Sequence, residues 1–425
     1  MTGALSRQAE EERDALPLAA LSIQHALKAV RSHLGMDVAL VSEFVGDRLY
    51  FRHVAARRRA PVRPGDCMPL EHCYCPMIAA GKLPELIPDT GAIPQATAIA
   101  VTHTIPVGAY IGTPLRLADG RLYGAFSCFS FRPDPSLDER DLDLMRAFAG
   151  LVAAHIGSEL DEVRRRHEKI ERIEAVLKSD EPSMVFQPMF RLSDMTIAGA
   201  EALSRFRSEP VRAPDVWFAE AGEVGLKTEL ELKSMRKALA EFQPVWKRSA
   251  IQLNLNSSPQ TIVDGSLMRV LSGLPAERIT MEITEHDHVE DYEELRRALE
   301  PLRLAGIRIA IDDAGSGYAS MRHILNIAPD LIKLDISLTR AVDRDPMRRA
   351  LAAALIAFGR QTKCSIVAEG VETDAELATL RELGVHAAQG FRLGRPVAID
   401  SLKRLLREEK SASAGAAGVT PRARS

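Results

Sequence analysis

The sequence predicts a mixed α/β protein in which a smaller α+β domain and a connecting helix precede a closed barrel. Between residues 179 and 408, short β-branched runs alternate with amphipathic stretches such as 292–305 and 346–362. Repeated strand–helix units predict a parallel sheet, and about eight of them predict a closed (β/α)8 barrel. Several runs end on acid or amide groups, which in a barrel meet at the carboxyl ends of the strands. The second domain is therefore expected to carry the chemistry.

Composition and charge are those of an ordinary globular protein. The 425 residues, 46% hydrophobic and 27% charged, suffice for two or three domains. A net charge of -3 without a Lys/Arg block gives no reason to expect a nucleic-acid polymer as partner. The segment 1–16 is polar, no run reaches the ~18 apolar residues that span a bilayer, and the odd number of cysteines fits reduced thiols. We expect a cytoplasmic protein with no membrane partner.

Residues 17–157 form the first predicted domain. A helical pattern covers 18–34, strand pairs surround the turns in 39–51 and 107–131, and a helix over 138–156 closes the unit. The run IPVGAYIGTPLRLADGRLYGAFSCFSF followed by DERDLDLMRAFAGLVAAHI resembles a GAF sensory domain, through a diffuse pattern that covers the whole unit. The resemblance implies an unknown small-molecule or redox signal, or a unit that only scaffolds a dimer.

Two cysteines in HCYCPMI leave a further question open. On a strand, Cys73 and Cys75 would face the same way, and with His72 they could supply metal ligands or a redox pair. However, C-x-C is not the C-x₂-C spacing of ordinary zinc sites, and free cysteine is commonly a small buried hydrophobe.

The segment 158–178 is predicted to be a linker helix. Apolar residues from Ile156 to Leu177 alternate spacings of three and four, as in a coiled coil, although Glu174 interrupts the seam. One interpretation is a two-stranded contact that pairs chains into a homodimer. The other is a solvated linker helix packed on one domain.

The stretch 307–320, IRIAIDDAGSGYAS, is predicted to be a buried strand that delivers Asp312 and Asp313 to a site. Glycines after the pair supply the backbone freedom to bring both carboxylates to one place, although the pair could instead cap a following helix. Runs at 251–256, 279–285, 331–335 and 365–372 also end on acids or amides. Oxygen ligands without His or Cys suit Mg²⁺ or Mn²⁺ rather than zinc.

The motifs at these strand ends resemble one family. They are GAEAL (199–203), NSSP (256–259), MEITE (281–285), DDAGSGYAS (312–320), IKLD (332–335), AEGVET (368–373) and QGF (389–391). Their order is that of EAL-domain cyclic di-GMP phosphodiesterases, and the similarity covers the whole of 179–408. It implies a TIM-like barrel with one antiparallel strand, which hydrolyses cyclic di-GMP to linear pGpG.

The resemblance also implies a role for individual residues. Two ions of Mg²⁺ or Mn²⁺ are implied, the principal one held by Glu201, Asn256, Glu282 and Asp312 and the second served by Asp313. Asn254 lies on the same strand face as Asn256 and is the rival ligand, although the NxSP register favours Asn256. The remaining implied roles are activation of water by Lys333 and Glu369, substrate binding by Gln187, Arg205 and Gln389, and support of the loop after Asp313 by Glu285.

One departure from the family pattern keeps a second function open. Ala314 and Ser316 stand where the family usually has an aromatic residue and Thr. Loss of the ring removes a packing anchor from a loop that positions metal ligands. The alternative is a weak or inactive receptor, which binds the same nucleotide and signals through a protein partner. The tail 409–425 is small and polar, and we expect it to be disordered.

Overall fold

The computed structural model describes residues 17–57, 61–284, 289, 291–315 and 319–417. The chain divides into two units, Met1–Arg165 and Arg166–Ser425. In the described part of the chain, no helix combines the length and apolar character needed to cross a bilayer.

The first unit is built on one six-stranded antiparallel sheet. Its strands are β1 (Val38–Val45), β2 (Arg48–Ala56), β3 (Cys67–Pro69), β4 (Leu86–Ile87), β5 (Ala109–Arg116) and β6 (Leu122–Ser130), in the spatial order β3-β2-β1-β6-β5-β4. Its helices are α1 (Pro17–His33), α2 (Tyr74–Ala79), α3 (Pro94–Thr97), α4 (Val101–Thr104) and the start of α5 (Glu139–Lys178). The hairpins β1–β2 and β5–β6 enclose the two predicted turns, and the predicted α+β domain is confirmed.

Two apolar layers flank this sheet. Leu27 of α1 and Val152 of α5 are buried in one layer, whereas Tyr74 and Ile78 of α2 are buried in the other. The expectation that Cys73 and Cys75 share a strand is wrong, because Cys73 precedes α2 and Cys75 lies within it. The following Pro76 falls in the first helical turn, where a missing amide costs no hydrogen bond, so the sequence there favours a helix start.

Helix α5 is continuous from the predicted closing helix through the predicted linker. In the first unit Ile156 is buried, and in the second Ile170 packs with Ile173 and Val176 against Trp217. Residues 161–168 are all exposed, including Val163 at 49%. Packing within the chain therefore engages both ends of the predicted seam, as expected for a linker helix packed on its own domain. The homodimer stays a prediction.

The second unit contains a closed eight-stranded barrel. Its strands are β7 (Ser183–Arg191), β8 (Ile197–Arg205), β9 (Gln252–Asn256), β10 (Ile279–Ile283), β11 (Arg308–Ala314), β12 (Leu331–Leu334), β13 (Ser365–Ala368) and β14 (Ala387–Ala388), closed in the order β10-β11-β12-β13-β14-β7-β8-β9. Strand β7 is antiparallel to both neighbours, and every other pair is parallel. The predicted TIM-like barrel with one antiparallel strand is confirmed.

Helices surround this barrel. They are α6 (Pro214–Glu223), α7 (Lys227–Trp246), α8 (Pro259–Val263), α9 (Leu267–Leu271), α10 (Tyr292–Leu304), α11 (Ala319–Ile327), α12 (Ile336–Thr339), α13 (Pro346–Thr362), α14 (Asp374–Leu383) and α15 (Ile399–Ala417). Helix α15 runs through 409–417, so the prediction of disorder there is wrong. Alanine has the highest helix propensity, and alanines recur through this stretch. Residues 418–425 lie outside the described residues.

Candidate active site

Strand β11 ends in an irregular backbone that presents two successive carboxylates. Its register with β12 shifts between Ile311 and Ala314, and Asp313 has a φ of 55°, which is uncommon for a residue other than glycine. Carboxylate oxygens of Asp312, Asp313 and Glu369 consequently lie within 4.8 Å of one another. The bulge overcomes the alternation of side chains along a strand, which would otherwise separate neighbouring acids.

Lys333 lies at the centre of the site. Its side chain is 0% exposed, and its Nζ is 2.7 Å from Glu369, 2.9 Å from Glu282, 3.0 Å from Asp312 and 3.2 Å from Glu201. Glu201, Glu282, Asp312 and Lys333 lie on strands β8, β10, β11 and β12, respectively. Glu369 directly follows β13, so all five side chains reach the barrel mouth. Four carboxylates therefore face one buried ammonium group, and their own side chains are at most 14% exposed.

The excess of carboxylates over ammonium groups determines the pKa values in the cluster. Burial opposes the charge on Lys333, but the surrounding carboxylates raise its pKa well above the ordinary value, so it stays an ammonium ion. Burial also raises the pKa values of Glu282 and Glu369 well above normal, which Lys333 only partly offsets. For Glu201, burial is outweighed by Lys333 and by hydrogen bonds, so its pKa is lowered. Additional positive charge would favour the ionised forms of Glu282 and Glu369.

Side-chain amides hold the carboxylates in place. Asn256 donates through Nδ2 to Oε1 of Glu201 at 3.0 Å, and Asn254 donates to Oε1 of Glu282 at 2.5 Å. Gln389 donates through Nε2 to both Glu201, at 2.8 Å, and Glu369, at 2.6 Å. Both predicted asparagines are therefore in the site, and Asn254 supports Glu282 from a deeper, buried position.

The donor set fits a divalent cation. Carboxylate oxygens of Glu201, Glu282 and Asp312 lie within 4.8 Å of one another, without a His or Cys in the group. Such oxygen donors suit Mg²⁺ or Mn²⁺. Among the described residues, Oε1 of Gln389 is buried without a hydrogen-bond partner, which leaves an oxygen available beside the cluster.

A rim of polar and aromatic side chains surrounds the buried cluster. Gln187 donates through Nε2 to the backbone oxygen of Gly394 at 3.2 Å, and Arg205 is partly exposed at the end of β8. Phe391 is 53% exposed, and the Arg395 guanidinium carbon lies 4.3 Å from its ring centroid. Among the described residues, no carboxylate forms an ion pair with Arg395. Neither Arg395 nor Phe391 had a predicted role, although the QGF motif (389–391) lies in this loop.

A buried acid behind the site was also missed. Glu231 of α7 accepts hydrogen bonds at 3.0 Å from both the backbone nitrogen and the hydroxyl of Ser258. Ser258 caps α8 by accepting from the nitrogen of Thr261. Glu231 thus fixes the turn that follows Asn256. An acid on an amphipathic helix gives no sequence signal of this contact, because the same residue type usually lies in solvent.

Two predicted features lie wholly or partly beyond the described residues. Glu285, expected to support the loop after Asp313, falls outside them, as do residues 316–318 of that loop. Ala314, the last residue of β11, is buried.

The barrel and its acid cluster define a site whose oxygen donors suit a divalent cation, and comparison with known proteins identifies the family. Residues 170–396 match the family model described as the EAL domain, and residues 22–156 match that of the GAF domain. Because the first match covers more than half of the chain, the chain belongs to the EAL-domain family.

Named relatives and solved structures agree with this assignment. An uncharacterized signaling protein of Caulobacter vibrioides is 31% identical, over 57% of this chain and 31% of its own length. The cyclic di-GMP phosphodiesterase NbdA of Pseudomonas aeruginosa is 27% identical, over 56% of this chain and 32% of its own length. The chain thus spans about a third of the length of these curated relatives. The structure titled PaMucR phosphodiesterase, c-di-GMP complex, is 25% identical with a TM-score of 0.51, covering 55% of this chain and 99% of that chain.

Proposed function

We propose that the second unit hydrolyses cyclic di-GMP to linear pGpG in a reaction that depends on divalent metal ions. The observation that carries the proposal is the buried cluster of four carboxylates around Lys333 at the carboxyl end of an EAL-family barrel. A relative named as a cyclic di-GMP phosphodiesterase supports the choice of substrate.

The proposed metal ligands follow the donor set. Glu201, Asn256, Glu282 and Asp312 would hold the principal ion, and Asp313 would serve the second. When bound, Mg²⁺ or Mn²⁺ lowers the pKa of a bound water and neutralises charge on the phosphodiester. The excess of carboxylates over ammonium groups supports this assignment, because positive charge beyond that of Lys333 would favour the ionised forms of Glu282 and Glu369.

The other groups of the site act on water and substrate. Glu369 accepts a proton from the attacking water, and Lys333, 2.7 Å from that carboxylate, favours its ionised form. A P–O bond to water forms as the P–O bond to a ribose oxygen breaks, and Lys333 stabilises the growing negative charge. Gln389 orients Glu369 through its 2.6 Å hydrogen bond.

Substrate recognition is proposed for the rim. Arg205 and Gln187 bind the phosphate and the dinucleotide, and the exposed ring of Phe391 beside Arg395 offers a flat surface for a guanine base. The first unit regulates this reaction in response to its own ligand, in a cytoplasmic homodimer.

Incubating the purified chain with cyclic di-GMP and Mg²⁺ or Mn²⁺, followed by chromatography, tests the proposal. We expect pGpG as product, and none when EDTA is present. The second candidate, a non-catalytic receptor, is favoured by Ala314, which leaves the loop after Asp313 without its aromatic anchor. Tight binding of cyclic di-GMP without product would support the receptor and contradict the enzyme.

A further inference from the structure

A basic cleft in the second unit lies between the C-terminal end of α7 and helix α15. It holds about 260 Å³ of free space, close to the roughly 300 Å³ at which small-molecule sites begin. None of its lining residues is acidic, and five are cationic: Lys247, Arg248, Lys403, Arg407 and Lys410. A recess lined by charge of one sign concentrates ions of the opposite sign, so these walls favour an anion.

The cleft lies at the end of the barrel opposite the acid cluster. Ser249 in its wall precedes Gln252, where β9 begins, whereas Asn256 at the other end of β9 contacts Glu201 in the acid cluster. At a rise of about 3.3 Å per residue, β9 separates the two ends by roughly 13 Å. A ligand in the cleft would therefore leave the proposed active site unoccupied.

Helix α15 supplies one wall of the cleft. The helix begins at Ile399, beyond residue 396, where the match to the EAL family model ends. Its three lining cations, Lys403, Arg407 and Lys410, are spaced by four and three residues, so they share one face of the helix. The buried side chains of Leu402 and Leu406 hold the helix against the barrel core. The cleft thus depends on a helix outside the residues that match the family.

Two of the cations are held by neutral acceptors. Lys410 donates through Nζ to the backbone oxygen of Arg248, and Arg407 donates through Nε to that of Lys403 at 3.1 Å. A carbonyl oxygen orients a cationic group without cancelling its charge. The bond through Nε also leaves the terminal nitrogens of Arg407 for a ligand, and arginine binds phosphate oxygens through such nitrogens.

The end of α7 does not account for this charge. Cations near a helix C-terminus often satisfy its last carbonyl groups. Here the backbone oxygens of residues 246, 248 and 249 already accept from Arg278 or Lys410. The side chains of Lys247 and Arg248 therefore add positive charge that the helix end does not require.

Neighbouring acids neutralise little of the charge. Of the five lining cations, Lys403 alone pairs with a carboxylate among the described residues, that of Asp400 at 2.9 Å. Burial raises the pKa of Glu241 on α7, an effect that Lys237 and Lys403 partly offset. Both acids thus act on Lys403. The other four cations repel one another, and a multiply charged anion would relieve that repulsion.

We propose that the cleft binds a small anion with two or more linked phosphate groups, the class that includes pyrophosphate, tripolyphosphate and nucleoside triphosphates. The guanidinium groups of Arg248 and Arg407 pair with phosphate oxygens, and Lys247 and Lys410 supply further charge. The cations surround a recess, which suits a small ligand better than a membrane or a nucleic-acid polymer. This proposal goes beyond the proposed function and does not rest on it, because the cleft and the acid cluster are at opposite ends of the barrel.

Calorimetric titration of the full chain with inorganic tripolyphosphate tests the proposal, at an ionic strength of about 0.15 M. Orthophosphate is the comparison anion. Bound metal is removed first and the chelator dialysed away, because chelators are themselves polyanions. We expect tripolyphosphate to bind at micromolar concentration and orthophosphate at least about tenfold more weakly, since linked phosphates engage several cations at once.

Charge-reversal variants locate the binding. Arg248→Glu and Arg407→Glu should each weaken tripolyphosphate binding about tenfold or more, because each replaces a charged hydrogen bond with a repulsion. Arg404→Glu is the matched control, since Arg404 is exposed on the same helix but does not line the cleft. It should weaken binding less than about twofold, because salt screens charges outside the site.

Three results would overturn the proposal. Equal losses in Arg404→Glu and Arg407→Glu would mean general attraction to a positive surface. Orthophosphate binding as tightly as tripolyphosphate would remove the requirement for linked phosphates. Failure of tripolyphosphate to bind at millimolar concentration would exclude the site, and sedimentation of the same protein with phosphatidylglycerol vesicles would then identify the face as a membrane surface. The wild-type titrations decide even if a variant fails to fold, and without cyclic di-GMP they are independent of hydrolysis.

Discussion

The two units differ in the kind of group that they bury. In the barrel, buried carboxylates are tolerated because each is an ion-pair partner of Lys333 and is oriented by an amide or a neighbouring backbone group. In the first unit, a cavity between the sheet and α2 is lined by apolar side chains and by the neutral hydroxyls of Tyr110 and Ser127. A buried charge is stable only with specific charged or hydrogen-bonding partners, whereas many different apolar side chains can line a cavity of a given shape. The first arrangement leaves motifs in a sequence, and the second leaves almost none.

Removing one carboxylate from the barrel should have the largest effect. We expect Asp312→Ala or Glu201→Ala to reduce hydrolysis by about a thousandfold or more, because a lost metal ligand removes several kcal/mol of transition-state stabilisation. The exposed acid Glu300 on α10 provides a matched control, Glu300→Ala. Near wild-type turnover by either site variant at saturating metal would contradict the assignment. Circular dichroism should confirm that both variants fold.

Removing the ammonium group should destabilise the barrel and make its stability depend on metal. Lys333→Met leaves four buried carboxylates without a cation, a loss typically worth about 3–5 kcal/mol. We expect its melting temperature in EDTA to fall by about 10 °C, and Mn²⁺ to restore more stability to this variant than to the wild type.

The exposed Lys82 of the first unit provides the control, Lys82→Met. Equal melting temperatures of Lys333→Met and wild type in EDTA would show that the carboxylates are not ionised together around Lys333.

A smaller effect is expected at the rim. If Phe391 stacks on a guanine base, Phe391→Ala should raise KM about tenfold and leave kcat nearly unchanged, since stacking on an aromatic side chain is worth about 1–3 kcal/mol. Leu304→Ala, at an exposed apolar position, is the matched control. A fall in kcat at constant KM would mean that Phe391 orients the reacting groups instead of binding the base.

The smallest effects concern the thiols. Burial raises the pKa of Cys364 to about 11, so its thiolate fraction at pH 8 is roughly one in a thousand. Its labelling by iodoacetamide should accelerate tenfold per pH unit from pH 7 to 9, whereas partly exposed Cys67, which accepts from Arg48, should be labelled first. Peptide mass spectrometry separates the sites. A plateau in the Cys364 rate below pH 9 would contradict the raised pKa.

How well a feature could be predicted from the sequence depended on the kind of interaction that forms it. Acids at strand ends, such as Glu282 and Asp312, identified the barrel and its cluster because charged residues in apolar runs are unusual. The support given by Glu231 and the Phe391–Arg395 contact were not predictable, because each depends on residues brought together by tertiary packing. Helix α5 shows the same limit: its heptad-like spacing was compatible both with a partner helix and with packing on the chain's own domain, and only the tertiary structure shows that Ile173 and Val176 pack on the second unit.

The reversed direction of β7 decides where the chain enters the barrel. Ser183 at its start pairs with Arg205 at the carboxyl end of β8, and its hydroxyl donates to the Arg205 backbone oxygen at 3.2 Å. Just before it, Lys233 of α7 donates to the last backbone oxygens of α5, including those of Val176 and Leu177. Had β7 been parallel, the incoming helix would have ended at the opposite face of the barrel. The contacts at the end of α5 therefore lie close in the chain to the strand that pairs with Arg205, the residue proposed to bind the phosphate, so a displacement of α5 would be felt first at the mouth of the site.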